Sequence, residues 1–158
     1  MKKGDQVINV MQKYLQILRK VNGWTAEEMG NRLGVTKQTI SNLENGKVCM
    51  TKTQYIALRT IFENEIRNVD NNLALKRIMC ILFYDETKFG EAKEQQIYQA
   101  METVAAAAYG GITGSQLALL ATTVLAPLKL ASGINIDMDL KSETPYKWVE
   151  ILADEEDA

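Results

Sequence analysis

The sequence predicts an all-α protein, in which an N-terminal bundle of short helices is followed by a second helical region with at most one short strand. Apolar residues recur at intervals of three and four along much of the chain, as in helices that bury one face. Residues that cap helices precede several of these segments. Apolar and polar residues alternate, as in a strand, in one short segment only. With 158 residues, 46% of them apolar, the chain is large enough to bury a core.

The first two predicted helices are separated by a tight turn. Residues 7–21 form the first helix, which ends at Asn22-Gly23 and carries an apolar stripe of Val7, Met11, Tyr14, Leu18 and Val21. The segment Thr25–Glu28 has the form of a capping box, in which a threonine and a glutamate three residues later cap each other's backbone. It opens a second helix that runs through Leu33 and ends at Gly34.

Two further helices follow in the N-terminal part. Thr36 can cap a third helix that runs to about Glu44 and is stopped by Asn45-Gly46, residue types that tolerate positive φ. A second capping signal, Thr51–Gln54, starts a fourth helix whose apolar residues are Tyr55, Leu58, Ile61 and Phe62. The polar segment 68–72 that follows is predicted to be a hinge.

This hinge divides the chain into two predicted domains. The first covers residues 1–67 and the second, a helical domain for dimerisation or partner binding, covers residues 73–153. Residues 154–158 are predicted to be an acidic, disordered tail. The second domain opens with an apolar helix over residues 73–83.

The middle of the second domain allows two interpretations. Residues 91–108 have high helix propensity and lead into 26 residues, 103–128, that carry no charge. Small residues recur at every fourth position of this stretch, which suits either a close-packed buried hairpin or dimer core, or a membrane span. Gly110-Gly111 favours a turn that splits the stretch into two short helices. We therefore expect the buried core, with the membrane span as the alternative.

Two short elements are predicted near the C-terminus. Residues 134–140 alternate between apolar and polar side chains, which indicates a half-buried strand. Thr144-Pro145 places a capping residue before a proline at the first helical position, so residues 146–153 are predicted to form a last helix.

The stretch from Ala26 to Asn45 resembles the helix-turn-helix of the Cro and phage-repressor family. Two helices that meet steeply need a small residue where they touch and a turn residue free of Cβ strain, and Gly30 and Gly34 meet these needs. Apolar residues must also face the first helix, and they are present as Met29, Leu33, Val35, Ile40 and Leu43.

The resemblance implies a set of DNA contacts from the third helix, which in this family lies in the major groove. By that resemblance the residues that contact bases are Lys37, Gln38, Ser41 and Asn42, and those that contact phosphates are Thr36, Thr39, Asn45 and Lys47. The chain departs from the family at Ala26, a position that is often glutamine. Trp24 either closes the entrance of the second helix as a hydrophobic staple or lies against the sugar-phosphate backbone.

Charge and composition narrow the function further. Residues 1–67 have a net charge of +5 and residues 68–158 a net charge of −7, so an anionic partner is expected at the N-terminal half. The chain has no histidine and only two cysteines, Cys49 and Cys80. We therefore predict no catalytic site, no metal site and no cofactor, and a reducing cytoplasmic location.

The predicted function is that of a sequence-specific transcriptional regulator that binds double-stranded DNA, acting as a repressor and as a homodimer. The alternative is a protein-interaction module of a mobile element, such as an antitoxin, antirepressor or inhibitor. In that case the helix-turn-helix controls the module's own operon while the acidic C-terminal half binds a protein partner.

Overall fold

The computed structural model describes residues 3–68, 72–84, 91–126 and Leu152, and within them the fold is all-α, as predicted. The α-helices are α1 (Lys3–Val21), α2 (Ala26–Leu33), α3 (Lys37–Glu44), α4 (Lys52–Asn68), α5 (Leu73–Met79), α6 (Glu91–Tyr109) and α7 (Gly114–Leu125). A π-helical segment, Cys80–Tyr84, continues α5. The part of the chain that the structure describes contains no strand.

The predicted helix ends in the N-terminal part are confirmed by hydrogen bonds. The backbone NH of Glu28 donates to Thr25 Oγ1 at 3.1 Å and the Thr25 NH donates to Glu28 Oε2 at 2.7 Å, which completes the capping box. The same reciprocal pair caps α4, where Thr51 and Gln54 exchange bonds of 2.9 and 3.1 Å. Helix α1 begins one turn earlier than predicted. The negative charge of Asp5 in its first turn interacts favourably with the positive N-terminal end of the helix dipole.

The buried apolar residues of both halves form one continuous core around α1. Helix α1 packs against α3, α4, α5 and α6, and its own fully buried side chains include Met11, Leu15 and Leu18. The predicted division into domains at 68–72 stays a prediction.

The contact between α1 and α6 carries both aromatic and charged pairs. The rings of Tyr14 and Tyr98 pack with centroids 5.3 Å apart, and Lys13 Nζ lies 2.6 Å from Glu94 Oε1. Burial raises the pKa of Tyr14 to about 12, and the nearby Glu94 carboxylate and Tyr98 act in the same direction.

The uncharged stretch forms a helical hairpin as far as the structure describes it. Helix α6 ends at Tyr109, Gly111 adopts a φ of +108°, and α7 starts at Gly114, so the predicted turn is confirmed. The two helices pack on each other through buried residues of both, namely Val104, Ala105, Ala108, Leu117, Ala121 and Leu125. Among the described residues, no helix combines the length and the apolar character that crossing a membrane requires.

The predicted strand at 134–140 and the acidic tail at 154–158 lie outside the described residues. The predicted last helix at 146–153 does so as well, except for Leu152, which is buried. The Leu152 carbonyl accepts a hydrogen bond of 3.0 Å from Lys52 Nζ, which joins it to the start of α4.

Candidate nucleic-acid interface

Helices α2 and α3 approach each other closely because Gly30 has no side chain. A Cβ atom built on Gly30 would lie 2.7 Å from the Val35 carbonyl oxygen and 3.2 Å from the Thr36 carbonyl carbon. Both are backbone atoms of the turn, which cannot rotate away as a flexible side chain would. The predicted role of Gly30 as the small residue between the two helices is confirmed.

The turn between α2 and α3 depends on Gly34. This residue caps α2 in the left-handed conformation with φ +83°, where most side chains are strained. The backbone NH groups of Gly34 and Val35 both donate to the Gly30 carbonyl, at 2.8 and 2.9 Å. The end of α2 is therefore closed, and the chain is directed into Thr36, the N-cap of α3.

One face of α3 is buried and holds the helix on the core. Ile40 and Leu43 have no exposed surface, and Met29 of α2 is equally buried beside them. Leu33 and Val35 are partly buried against the same core. All five apolar positions of the predicted motif thus point inward, which leaves the opposite face of α3 to polar residues.

The four predicted base-contacting residues lie together on that outward part of α3. Lys37 and Gln38 in the first turn are exposed, while Ser41 and Asn42 one turn later are half-buried. Because residues four apart are neighbours on a helix, Lys37 stands beside Ser41 and Gln38 beside Asn42. Gln38 Nε2 donates to Asn42 Oδ1 at 3.0 Å.

The predicted phosphate-contacting residues flank the two ends of α3. At the N-terminal end, Thr36 Oγ1 accepts from the Thr39 NH at 3.2 Å and lies 3.1 Å from the Thr39 hydroxyl. At the other end, Asn45 Nδ2 donates to Ser41 Oγ at 3.3 Å, and the exposed Lys47 follows in the loop. All eight predicted residues thus belong to α3 or to the residues that flank it.

A buried ion pair, which the sequence analysis did not identify, fixes the C-terminal end of α3. Arg19 Nε and Nη2 bind the two carboxylate oxygens of Glu44 at 2.5 and 3.2 Å, and Nη1 donates to the Trp24 carbonyl at 2.8 Å. Arg19 stands four residues after Leu15 on the buried stripe of α1. A charged residue at a stripe position was the signal that could have identified it.

The amide of Gln12 holds the loop after α3 in a second contact that the sequence analysis missed. Its Nε2 donates to the carbonyl oxygens of Leu43 at 3.0 Å and Val48 at 2.6 Å, and its Oε1 accepts from the Met50 NH at 2.9 Å. Because the loop's backbone groups bond to a side chain of α1, the loop that carries Lys47 is fixed relative to the core.

Trp24 packs inside the protein. Its ring is buried and stacks on Phe62 of α4 with centroids 6.2 Å apart and planes 11° from parallel. The Arg32 guanidinium lies 3.9 Å above the ring. Of the two roles predicted for Trp24, the geometry agrees with packing at the entrance of α2. Ala26, the first residue of α2, is half-buried.

Within the described ranges, no three Cys, Asp or Glu side chains are gathered where they could hold a metal ion. The outward face of α3 offers hydrogen bonding by amides and hydroxyls and the positive charge of Lys37, and the loop after it adds the charge of Lys47.

The comparison with known proteins agrees with this geometry. Residues 15–60, from the middle of α1 to α4, match the helix-turn-helix family model, of the Cro/C1 type. No curated protein and no solved structure matches the chain.

Proposed function

We propose that this chain, whose residues 15–60 are a helix-turn-helix domain of a DNA-binding regulator of the Cro/C1 kind, is a sequence-specific transcriptional repressor. The observation that carries the proposal is the placement of α3. Its apolar face is buried, both of its ends are fixed, and the outward face carries side chains that can hydrogen-bond to base edges.

The base contacts are assigned to Lys37, Gln38, Ser41 and Asn42. A lysine ammonium donates to guanine O6 and N7, a glutamine or asparagine amide pairs with adenine N6 and N7, and a serine hydroxyl can contact either kind of base. A rigid helix that presents these groups side by side can enter the major groove, which is wide enough for an α-helix.

The phosphate contacts are assigned to Thr36, Thr39, Asn45 and Lys47, which flank the base-contacting residues. The N-terminus of α3 adds unpaired backbone NH groups and the positive end of the helix dipole, both of which favour a phosphate. The net charge of +5 over residues 1–67 supports the approach of this half to DNA.

The proposed repressor acts as a homodimer in the cytoplasm, where it occludes a promoter. A single domain of this size covers little DNA, so specific affinity in such regulators is reached when two copies bind half-sites about one helical turn apart. Sedimentation of the purified protein tests the dimer directly, and a monomer at micromolar concentration would contradict it.

The experiment that tests DNA recognition is selection of bound sequences from random duplex DNA. We expect an enriched palindrome with half-sites separated by about 10 base pairs or a multiple of that spacing. A pool that stays random after several rounds would contradict sequence-specific binding.

A salt titration on the selected duplex then tests the phosphate set. Lys47→Ala should reduce the slope of log K against log salt by about 0.9 for each bound copy, or about 1.8 for a dimer on a palindrome, because each copy releases one fewer counterion. Lys93→Ala, which removes an exposed lysine from α6, is the matched control and should leave the slope unchanged.

A further inference from the structure

The outward face of α3 carries two parallel hydrogen bonds between side chains one turn apart. Gln38 Nε2 donates to Asn42 Oδ1 at 3.0 Å, and Asn45 Nδ2 donates to Ser41 Oγ at 3.3 Å. The first of these joins two residues that are both assigned to base contacts. The two amides are therefore already ordered relative to each other before any DNA is bound.

The direction of the Gln38–Asn42 bond decides which groups each amide can offer to DNA. A primary amide has two N–H donors and one carbonyl oxygen that accepts. Gln38 uses one of its N–H groups in the bond, so its Oε1 and its second N–H stay available. Asn42 turns its Oδ1 toward Gln38, so Nδ2, on the other side of the same amide carbon, keeps both of its donors.

We propose that Gln38 and Asn42 read DNA as one hydrogen-bonded unit with a fixed polarity, an inference that rests on the proposed function. Gln38 pairs with adenine, accepting from N6 through Oε1 and donating to N7 through its free N–H. Asn42 acts as a donor and binds an acceptor on the neighbouring base pair, which is O6 or N7 of guanine, N7 of adenine or O4 of thymine.

The bond contributes to affinity because it orders Asn42 in advance. An unrestrained side chain loses about 0.5–1.5 kcal/mol when it is immobilised at an interface, a factor of about 2 to 10 in affinity. A unit that is held together in the free protein has lost part of that freedom already. Removal of Gln38 should therefore weaken the contact that Asn42 makes as well as its own.

A double-mutant cycle on the selected duplex tests the coupling. Gln38→Ala, Asn42→Ala and the double variant are titrated against this duplex and against random DNA, and the ratio of the two affinities gives the specificity. For each half-site, we expect the double variant to lose about 2- to 10-fold less specificity than the product of the two single losses, and a dimer on a palindrome shows this factor squared. If the loss of specificity in the double variant equals the product of the two single losses, the proposal that Gln38 and Asn42 act as one unit is overturned.

A second cycle, on Lys37 and Ser41, is the matched control. These residues are also four apart on the outward face, and the described part of the chain shows no hydrogen bond between their side chains. Their alanine variants should give specificity losses that multiply. If this cycle shows the same coupling as the first, the effect comes from general movement of α3 and the proposal is overturned.

The polarity is tested by two isosteric substitutions. Asn42→Asp keeps an acceptor for Gln38 and removes the donors of residue 42. The preference for adenine opposite Gln38 should therefore persist. The base preferred opposite residue 42 should shift to cytosine, whose N4 group donates. Gln38→Glu removes the donor that holds Asn42, and the Asn42 amide can then turn to donate to the new carboxylate. The preference opposite residue 38 should therefore shift from adenine to cytosine, and the donor preference opposite Asn42 should weaken. Base preferences are compared among the four bases at each position, which cancels the general repulsion between the added carboxylate and phosphates.

The outcomes separate the two proposals. If the wild-type protein selects a sequence but the Gln38–Asn42 losses multiply, or Asn42→Asp abolishes the adenine preference opposite Gln38, only the coupled reading is overturned. If the wild-type protein selects no sequence at all, the proposed function fails and the coupled reading fails with it. Circular dichroism spectra confirm that each exposed-face variant is folded before it is titrated.

Discussion

The substitution Gly30→Ala tests the close approach of α2 and α3 most directly. The added Cβ would lie 2.7 Å from the Val35 carbonyl oxygen, whereas an ordinary contact begins at 3.4 Å, so the turn would have to retreat by about 0.7 Å. Overpacking of this kind costs about 1–3 kcal/mol, and contact with backbone places the cost near the upper end. Alanine recovers about 1 kcal/mol of helix propensity relative to glycine.

The net expectation is a loss of about 2 kcal/mol in the free energy of unfolding. For a chain of this size each kcal/mol lowers Tm by about 2–4 °C, so Tm should fall by about 4–8 °C. The displaced atoms belong to the turn that leads into α3, so its base contacts should be misaligned as well. Affinity for the selected duplex should fall at least about tenfold, which corresponds to the loss of one good base contact.

Thermal unfolding followed by circular dichroism and titration of the selected duplex measure the two effects. Asn31→Ala is the matched control, because it places alanine at the neighbouring exposed position of α2 and should change the free energy of unfolding by less than about 0.5 kcal/mol. If Gly30→Ala is as stable as the wild type, or gains the stability expected from helix propensity alone, the close approach of the two helices is refuted.

Three further predictions concern side chains in or against the core. Arg19→Met breaks the buried ion pair and leaves the Glu44 carboxylate without its positive partner. Urea unfolding should therefore show that the free energy of unfolding falls by about 3–5 kcal/mol. A fall below about 1 kcal/mol would contradict the burial of the pair. Gln12→Ala removes two hydrogen bonds to the loop after α3 and one to the Leu43 carbonyl near the end of α3. Hydrogen exchange at the Met50 amide should therefore quicken at least about tenfold, and unchanged protection would contradict the contact. Burial raises the pKa of Cys80 to about 11 and that of Tyr14 to about 12, so the folded state keeps protons that the unfolded state releases. The free energy of unfolding should therefore fall as pH rises above about 9. Urea midpoints that stay constant from pH 8 to 11 would contradict this prediction.

Much of the N-terminal fold and the candidate interface could be predicted from the residues alone. The capping pair Thr25 and Glu28, the left-handed Gly34 and the small Gly30 all act within a few residues of chain, where spacing and residue type define the geometry. The structure of the stretch 103–128 was harder to predict, because a charge-free run of small and apolar residues suits a buried hairpin as well as a membrane span. For the described residues, the structure shows a hairpin, because the chain turns at Gly110-Gly111 and α7 packs against α5 and α6.

The sequence by itself determined the helical class, the helix ends and the side of α3 that faces outward, because periodicity and capping are properties of neighbouring residues. Only the tertiary structure decided which distant groups hold that helix in place. Arg19 reaches Glu44 of α3 across 25 residues, and Gln12 reaches Val48 in the loop after α3 across 36. In the same way, Lys13 of α1 meets Glu94 of α6 across 81 residues. Such pairs have no local pattern, because the partner of a polar side chain on α1 depends on how whole helices pack around the core.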